Sequence, residues 1–496
     1  MKKNMLLWSL LLATVIGCSN GSVTDDGLSD DGLSNENVSD DTPSDETTNE
    51  PELDPDRLTF AVISDIHFGN DVAEGPMVKV PQALKNITSY GKLDAMVVVG
   101  DLTDHGEVEE YEQFVETFTD STLFTNPVDS FYFVMGNHDN YHVDGHAHFQ
   151  DGLKHFNQGE PYPLHNYQVI KGYPFIMVST LNGCNNDIAH RADGTNAYPP
   201  KTVQWLEETM ERASQECPGK PIFVFTHIPP RWTCYSTWVE YENGLAWCMQ
   251  VLNRVFNEYP QTIVFAGHSH YPVGDPRSIH QGANPESEHK NYYTVINTGS
   301  TTYAEVHPNA VEGDASGVHP DGFAYVTEGL IVTEYTNGDI EVRRYDTYRN
   351  EEIAADKRWV IKAPFDGSQF TYADVRDADD NPLNKELYAG GNSPEFAENA
   401  ELTLAASAYS VKVTFPQASD DDCVFRYVIN VFDVKSGLPV TNASIFSRFY
   451  LNSEMPDELT HIISGLNSET EYRVVVKAYD SYDNESTPLM ASFTTR

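Results

Sequence analysis

The sequence predicts an α/β domain over residues 58–345 and an all-β sandwich over residues 394–496. Three observations carry this reading. From residue 58, short apolar runs alternate with helical stretches, the pattern of a sheet covered by helices. From about Pro394, short alternating strands are spaced by turn residues, the pattern of a sandwich. Before both, residues 18–57 are rich in Asp, Ser, Asn and Thr and lack aromatic side chains, so they cannot bury enough surface to offset ordering entropy.

The N-terminal elements come first. Lys2 and Lys3 precede an apolar run from Met5 to Ile16. That run is too short to span a bilayer but has the length of a signal peptide. It ends in Val15-Ile16-Gly17-Cys18, which resembles a bacterial lipobox. The resemblance implies a lipoprotein signal peptide over residues 1–17, lipidation of Cys18 and anchoring in a bacterial cell envelope, with the outer membrane expected and the side faced left open. An ordinary signal peptide with a chance cysteine is the alternative. Residues 18–57 then form an acidic tether, in which Asp25-Asp26-Gly27-Leu28-Ser29 recurs as Asp30-Asp31-Gly32-Leu33-Ser34.

Charge excludes some partners. Asp+Glu is 75 against 31 Lys+Arg, a formal charge of −44. Nucleic-acid polymers are held by neutralising their phosphates, which this surface opposes. After Cys18, five cysteines remain: Cys184, Cys217, Cys234, Cys248 and Cys423. Cys234 and Cys248 flank one loop and could pair in an oxidising compartment. No CxxC pair suggests a thiolate zinc site.

Within the α/β domain, strands are expected at Leu58–Ser64, Ala95–Val99, Phe131–Met135, Ile222–Thr226 and Thr262–Ala266. Helices are expected at Val80–Tyr90, Glu107–Phe118, Thr202–Ser214 and Leu245–Glu258. Later strands near Tyr292–Asn297, Phe323–Thr333 and Ile340–Tyr345 lack intervening helices and suggest antiparallel additions. Residues 346–393 read as a transition.

Chemistry follows each of the first five strands. They run into Asp65-Ile66-His67, Gly100-Asp101-Leu102-Thr103-Asp104, Gly136-Asn137-His138-Asp139, His227-Ile228-Pro229-Pro230 and Gly267-His268-Ser269-His270. Sites in α/β sheets assemble at the carboxyl ends of strands. Carboxylate and imidazole together suit Mn, Fe or Zn. The glycines are expected to turn the backbone tightly toward a shared centre.

This ordered set resembles the calcineurin-like metallophosphoesterase superfamily. The resemblance implies a four-layer α/β/β/α sandwich with two metal ions. By motif position one ion takes Asp65, His67 and His270, the other takes Asn137, His227 and His268, and Asp101 bridges them. It further implies in-line attack on phosphorus by a metal-bridging hydroxide, His138 as general acid, and Asp104 paired with His138. Asp104 is also placed to cap the following helix. His105 stands where phosphoprotein phosphatases carry Arg, which speaks against that branch. Asp104 stands where purple acid phosphatases carry a tyrosine ligand. The Gly-Asp-Leu-Thr-Asp form looks more like the phosphodiesterase-containing branch.

A small phosphate ester is therefore the expected substrate. A phosphomonoesterase or nucleotidase is the alternative on the same residues, and an inactive surface-binding protein a minor one. Substrate contacts are sought at His105, Arg231, Trp232, Tyr235 and Trp238. The aromatic loop could stack a base or simply pack down. His142, His146 and His148 line the rim or lie in solvent. Asn297-Thr298-Gly299-Ser300 reads as structural.

In the C-terminal part, strands are expected at Glu401–Ala405, Ser410–Phe415, Phe425–Asp433, Arg448–Leu451 and Tyr472–Tyr479. Gly465-Leu466 followed by Tyr472 resembles the late strands of fibronectin type III domains, where a Leu and a Tyr anchor the core. Such a module would space the enzyme or contact glycans or proteins.

Overall fold

The computed structural model describes residues 56–72, 74–182, 197–237, 250–282, 292–306, 317–372 and 392–496. The signal peptide, Cys18 and nearly all of the acidic tether lie outside these residues, as do Cys184, Trp238 and Cys248.

In chain order the α/β region contains β1 (Thr59–Ile63), α1 (Pro76–Ile87), β2 (Ala95–Val99), α2 (Val108–Thr119), β3 (Phe131–Val134), α3 (Gly145–Gly152), β4 (His165–Ile170) and β5 (Tyr173–Val178). There follow α4 (Pro200–Glu216), β6 (Ile222–Thr226), α5 (Gln250–Phe256), β7 (Thr262–Ala266), β8 (Ile279–Gln281), β9 (Thr294–Asn297), β10 (Glu328–Glu334), β11 (Ile340–Asp346), β12 (Glu351–Ile353) and β13 (Trp359–Ile361). One sheet has the order β12-β11-β10-β1-β2-β3, with β13 also on β11, and the other has the order β4-β5-β6-β7-β9-β8. β1, β2 and β3 run parallel, as do β5, β6, β7 and β9. Every residue of β1, β2, β6 and β7 is buried. This is why these strands read as continuous apolar runs rather than alternating ones.

Alternate residues of each strand enter different cores. Phe60 and Val62 of β1 and Val97 of β2 share a cluster with Phe175, Phe223 and Phe265 of the other sheet. The Phe60 ring lies 4.9 Å from Phe175 and 5.0 Å from Phe223. Ala61, Ile63, Met96 and Val98 instead join Val80 and Leu84 of α1 and Tyr111 and Phe114 of α2. Ile176, Val224 and Val264 join Leu206 and Met210 of α4 and Leu252 and Phe256 of α5. The start of α2 is set by a capping box between Glu107 and Glu110, so Glu107 and not Asp104 caps it.

The β4–β5 hairpin is an element the sequence pattern hides. Pro174 sits inside β5, a residue normally excluded from central strands. It is tolerated because it faces Val169 of edge strand β4, and pairing with β6 begins only at Phe175. The run expected as a strand from Phe323 starts with a 3-10 turn, Phe323–Tyr325, and only Glu328–Glu334 is strand. Strands β12 and β13 carry the first sheet past residue 345, to Ile361.

The C-terminal region holds β14 (Thr403–Ala406), β15 (Ser410–Pro416), β16 (Val424–Asp433), β17 (Pro439–Phe446), β18 (Glu458–Ser464), β19 (Glu471–Asp480) and β20 (Leu489–Thr494). They form a three-stranded sheet β14-β15-β18 and a four-stranded sheet β17-β16-β19-β20. Burial alternates along β16 and β19, and both sheets meet in one core that includes Leu466 and Tyr472. The Tyr472 hydroxyl accepts the Asn467 N–H at 3.0 Å.

Arg448–Leu451 is not a strand. Arg448 has φ 69° and a 3-10 turn follows over Phe449–Glu454. Its apolar residues dock on the α/β region, where the Tyr450 hydroxyl donates to the Asp321 carbonyl at 3.1 Å. The same junction buries Arg277. Its guanidinium lies 3.6 Å from the Tyr235 ring and 4.7 Å from Phe425 of the β-sheets. It also bonds Asp275 at 2.6 Å, and Asp275 accepts from Ser481 at 3.1 Å.

Candidate metal centre

The ends of β1, β2, β6 and β7 and the turn after β3 bring the seven expected ligands together. Asp65, His67, Asp101 and His270 form one group whose ligand atoms all lie within 4.8 Å of one another, and Asp101, His227 and His268 form another. Asn137 joins the second group, its Oδ1 being 3.0 Å from His227 Nε2. Asp101 is common to both.

The spacing fits cations. Donor atoms at about 2.0–2.2 Å from one ion stand about 3–3.5 Å from each other. Here His67 Nε2 is 3.2 Å from His270 Nε2, His270 Nε2 is 3.1 Å from Asp65 Oδ1, and His227 Nε2 is 3.2 Å from Asp101 Oδ2. The other ring nitrogens are committed outward. Nδ1 of His67 meets Asp104 Oδ1 at 3.0 Å, that of His227 meets the Val99 carbonyl at 2.8 Å, and that of His270 meets the Tyr303 carbonyl at 3.0 Å. Each Nδ1–H donates, which turns Nε2 toward the centre.

The backbone accepts strain to do this. Asp65, His67, Asp101, His268 and His270 all have φ between 48° and 69°. Side chains rarely adopt this region, and such strain persists where surrounding contacts over-determine it. The contacts are present. The N–H groups of Ile66 and His67 both donate to the Asp101 carbonyl at 2.9 Å. Ser64 Oγ reaches Asp65 Oδ2, Thr298 Oγ1 and the Gly299 carbonyl, while Ser300 and Thr302 hydroxyls donate to the Asp65 carbonyl. The Asn297–Ser300 segment thus supports a ligand from behind.

The glycines work differently from the expectation of tight turns. Gly100 does have φ 87°, but Gly136 and Gly267 need space instead. A Cβ on Gly136 would stand 2.1 Å from Asp101 Oδ1, and one on Gly267 would stand 2.6 Å from Asp65 Oδ2.

Electrostatics bind the two groups. Burial raises Asp101, but the charges of His227 and His138 outweigh it and hold the carboxyl well below its usual range. Asp65 is lowered against burial by His270 and His227. Burial lowers His227, yet Asp101 and Asp65 push it up to about 9. Burial and the charge on His227 push His268 down to about 3.

Asp104 meets two imidazoles, the expected His138 and also His67. Its carboxylate is 3.0 Å from His67 Nδ1, 3.2 Å from Asn70 Nδ2 and 3.4 Å from His138 Nδ1. His138 Nδ1 also bonds the Asp104 backbone carbonyl, at 2.9 Å. The His138 N–H holds Asp101 Oδ1 at 2.9 Å. Burial opposes charge on His138, but Asp101 and Asp104 raise it to about 9.

Asp139 follows His138 in the turn after β3. It is fully buried and takes hydrogen bonds from Gly136 N, Thr103 N, Thr103 Oγ1 and the Tyr111 hydroxyl. It clamps the loops after β2 and β3 together.

The expected substrate residues separate. His105 is 59% exposed, 3.6 Å from Asp104 Oδ2, with Nδ1 on Glu110 at 2.9 Å. Arg231 is buried with its guanidinium 4.5 Å from the Trp232 ring. Tyr235 is buried at the junction with the β-sheets, which makes it a packing residue. The loop histidines brace backbone: His146 bonds the Leu181 carbonyl and His148 the Gly106 carbonyl, each at 2.7 Å.

Residues 58–272 match the family model for calcineurin-like phosphoesterase. The chain is 29% identical over 142 residues to a probable glycerophosphodiester phosphodiesterase GpdQ of Arcobacter nitrofigilis, a match covering 28% of this chain and 43% of that protein. It thus spans less than half the length of this relative. Among solved structures, purple acid phosphatase PPD1 from yellow lupin (Lupinus luteus) seeds is similar at 11% identity, covering 65% of this chain and 55% of that one, with a TM-score of 0.41. PhoD is similar at 9% identity, covering 61% and 68%, with a TM-score of 0.39. Over residues 58–272 the chain is thus similar to calcineurin-like phosphoesterases.

Proposed function

We propose that the chain is a metal-dependent phosphoester hydrolase that favours phosphodiesters. The observation carrying this is the convergence of seven side chains into two groups that share Asp101. Asp65, His67 and His270 with Asp101 would hold one Mn, Fe or Zn ion, and Asn137, His227 and His268 with Asp101 the other. When bound, the ions activate water for attack on phosphorus and neutralise the phosphoryl oxygens.

The chain's own residues do the rest. His138 has Nδ1 committed to the Asp104 carbonyl, which leaves Nε2 to carry a proton to the departing oxygen. Asp104 fixes the His67 ring. His105 stands exposed at the rim, where the outer part of an ester would arrive. The diester preference takes support from the name of the Arcobacter relative.

The finer readings belong to the same proposal. The three apolar clusters suit a four-layer α/β/β/α sandwich. The C-terminal sheets, with Leu466 and Tyr472 in their core, suit a fibronectin type III-like module. Cys18 would tether the chain to a bacterial cell envelope. The test is hydrolysis by Mn²⁺-loaded protein of bis-(p-nitrophenyl) phosphate against p-nitrophenyl phosphate. Preference for the diester is expected. Strong preference for the monoester would select the phosphomonoesterase or nucleotidase alternative. Hydrolysis of neither would leave the surface-binding alternative.

A further inference from the structure

We propose that Tyr303 is a substrate-contacting residue whose hydroxyl donates a hydrogen bond to an oxygen of the phosphate group at the metal centre. The proposal rests on the phosphoesterase reading and adds a residue from outside the five strand-end blocks.

Tyr303 is built into the site from its backbone outward. Its carbonyl accepts the Nδ1–H of ligand His270 at 3.0 Å, and its N–H donates to Ser300 Oγ at 3.3 Å. The residue before it is held equally firmly. Thr302 Oγ1 donates to the Asp65 carbonyl at 3.0 Å, and the Thr302 carbonyl accepts the buried Lys79 ammonium at 2.7 Å. The peptide carrying Tyr303 is therefore tied to two ligands, Asp65 and His270, and to α1.

The side chain lies along the ligands. Its ring centroid is 4.4 Å from that of His270 and 5.7 Å from that of His67. His67 in turn contacts the His138 ring at 4.5 Å. Tyr303 and His138 thus touch the same ligand imidazole. An ordinary phenol keeps its proton at neutral pH. Among the described residues the Tyr303 hydroxyl has no hydrogen-bond partner. A protonated donor, fixed beside a phosphate site and uncommitted inside the protein, serves an arriving anion without reorganisation.

The test uses the Mn²⁺-loaded full chain and Tyr303→Phe, which keeps the ring and removes one oxygen. Metal content and melting temperature are expected to match the wild type. Affinity for inorganic phosphate, measured by calorimetry, should weaken about tenfold, as for loss of one hydrogen bond to a charged group. The kcat/KM for bis-(p-nitrophenyl) phosphate should fall about 10- to 100-fold. Equal phosphate affinity and kcat/KM in both proteins would overturn the proposal and leave the ring as packing. Loss of metal in the variant would also overturn it, assigning the hydroxyl to ligand support. A wild type that neither binds phosphate nor hydrolyses any ester would instead sink the phosphoesterase reading itself, which separates the two failures.

Discussion

Asp104→Asn tests how the metal centre is organised. Two roles compete for this carboxylate: orienting ligand His67, or charging His138. The distances favour the first. At 3.0 Å the contact with His67 Nδ1 is a hydrogen bond, whereas 3.4 Å to His138 Nδ1 is beyond ordinary range. His138 has its own acceptor in the Asp104 carbonyl, which the substitution leaves in place. The variant therefore keeps the His138 ring anchored, with Asp101 still raising it, but loses the negative charge behind His67. Removing a carboxylate behind a ligating histidine typically costs about 10- to 100-fold in metal affinity, or about 1.4–2.8 kcal/mol. The assay is Mn²⁺ titration of metal-stripped protein, read by calorimetry and by hydrolysis of bis-(p-nitrophenyl) phosphate. We expect one Mn²⁺ to bind more weakly, with activity restored by excess Mn²⁺. Unchanged Mn²⁺ affinity, with a rate loss confined to poor leaving groups, would refute this and return Asp104 to His138.

Four further outcomes follow from the geometry. His138→Asn should keep its metal and lose turnover most for poor leaving groups; equal losses across leaving groups would argue against its acid role. Gly136→Ala drives a Cβ to 2.1 Å from Asp101 Oδ1 and 2.4 Å from Asp101 N, so elemental analysis should find the metal depleted, while Gly274→Ala, whose nearest neighbour is 3.7 Å away, should keep it. Glu328 is buried, its Oε1 has no partner among the described residues, and burial pushes its carboxyl from 4.5 up to about 8. The unfolded chain releases this proton first, so the group lowers stability progressively as pH rises from about 4.5 to 8; Glu328→Gln should stabilise by about 3 kcal/mol at pH 7 and by little at pH 4.5, measured by denaturant unfolding. Arg277→Leu leaves Asp275 charged and buried, so denaturation should show a loss of about 3–5 kcal/mol, and Asp275→Asn on top should recover part of it.

The site was legible where chemistry is local to a strand end. An apolar run followed by Asp, His or Asn is visible in one dimension, and the five blocks contain the seven side chains that the fold brings together. Contacts between blocks are not visible that way. Asp104 lies 37 positions from His67, and only the folded loops after β1 and β2 show which imidazole its carboxylate meets. Tyr303 carries no motif, since its importance comes from packing on His270. Gly136 and Gly267 were expected to bend the chain, but what they spare is volume beside a carboxylate. In the fold, buried parallel strands were readable because both faces are apolar. The β4–β5 hairpin was masked by Pro174, acceptable only because of its partner strand. Arg448–Leu451 is apolar for docking rather than for pairing, a distinction that needs the neighbouring surface.

The account turns on two cations sharing Asp101. Elemental analysis of the folded chain after Mn²⁺ loading and desalting measures this directly. It should find close to two transition ions per chain, and far fewer in Asp101→Ala. A wild-type chain that is folded, binds no metal and gains no activity on Mn²⁺ addition would contradict the account.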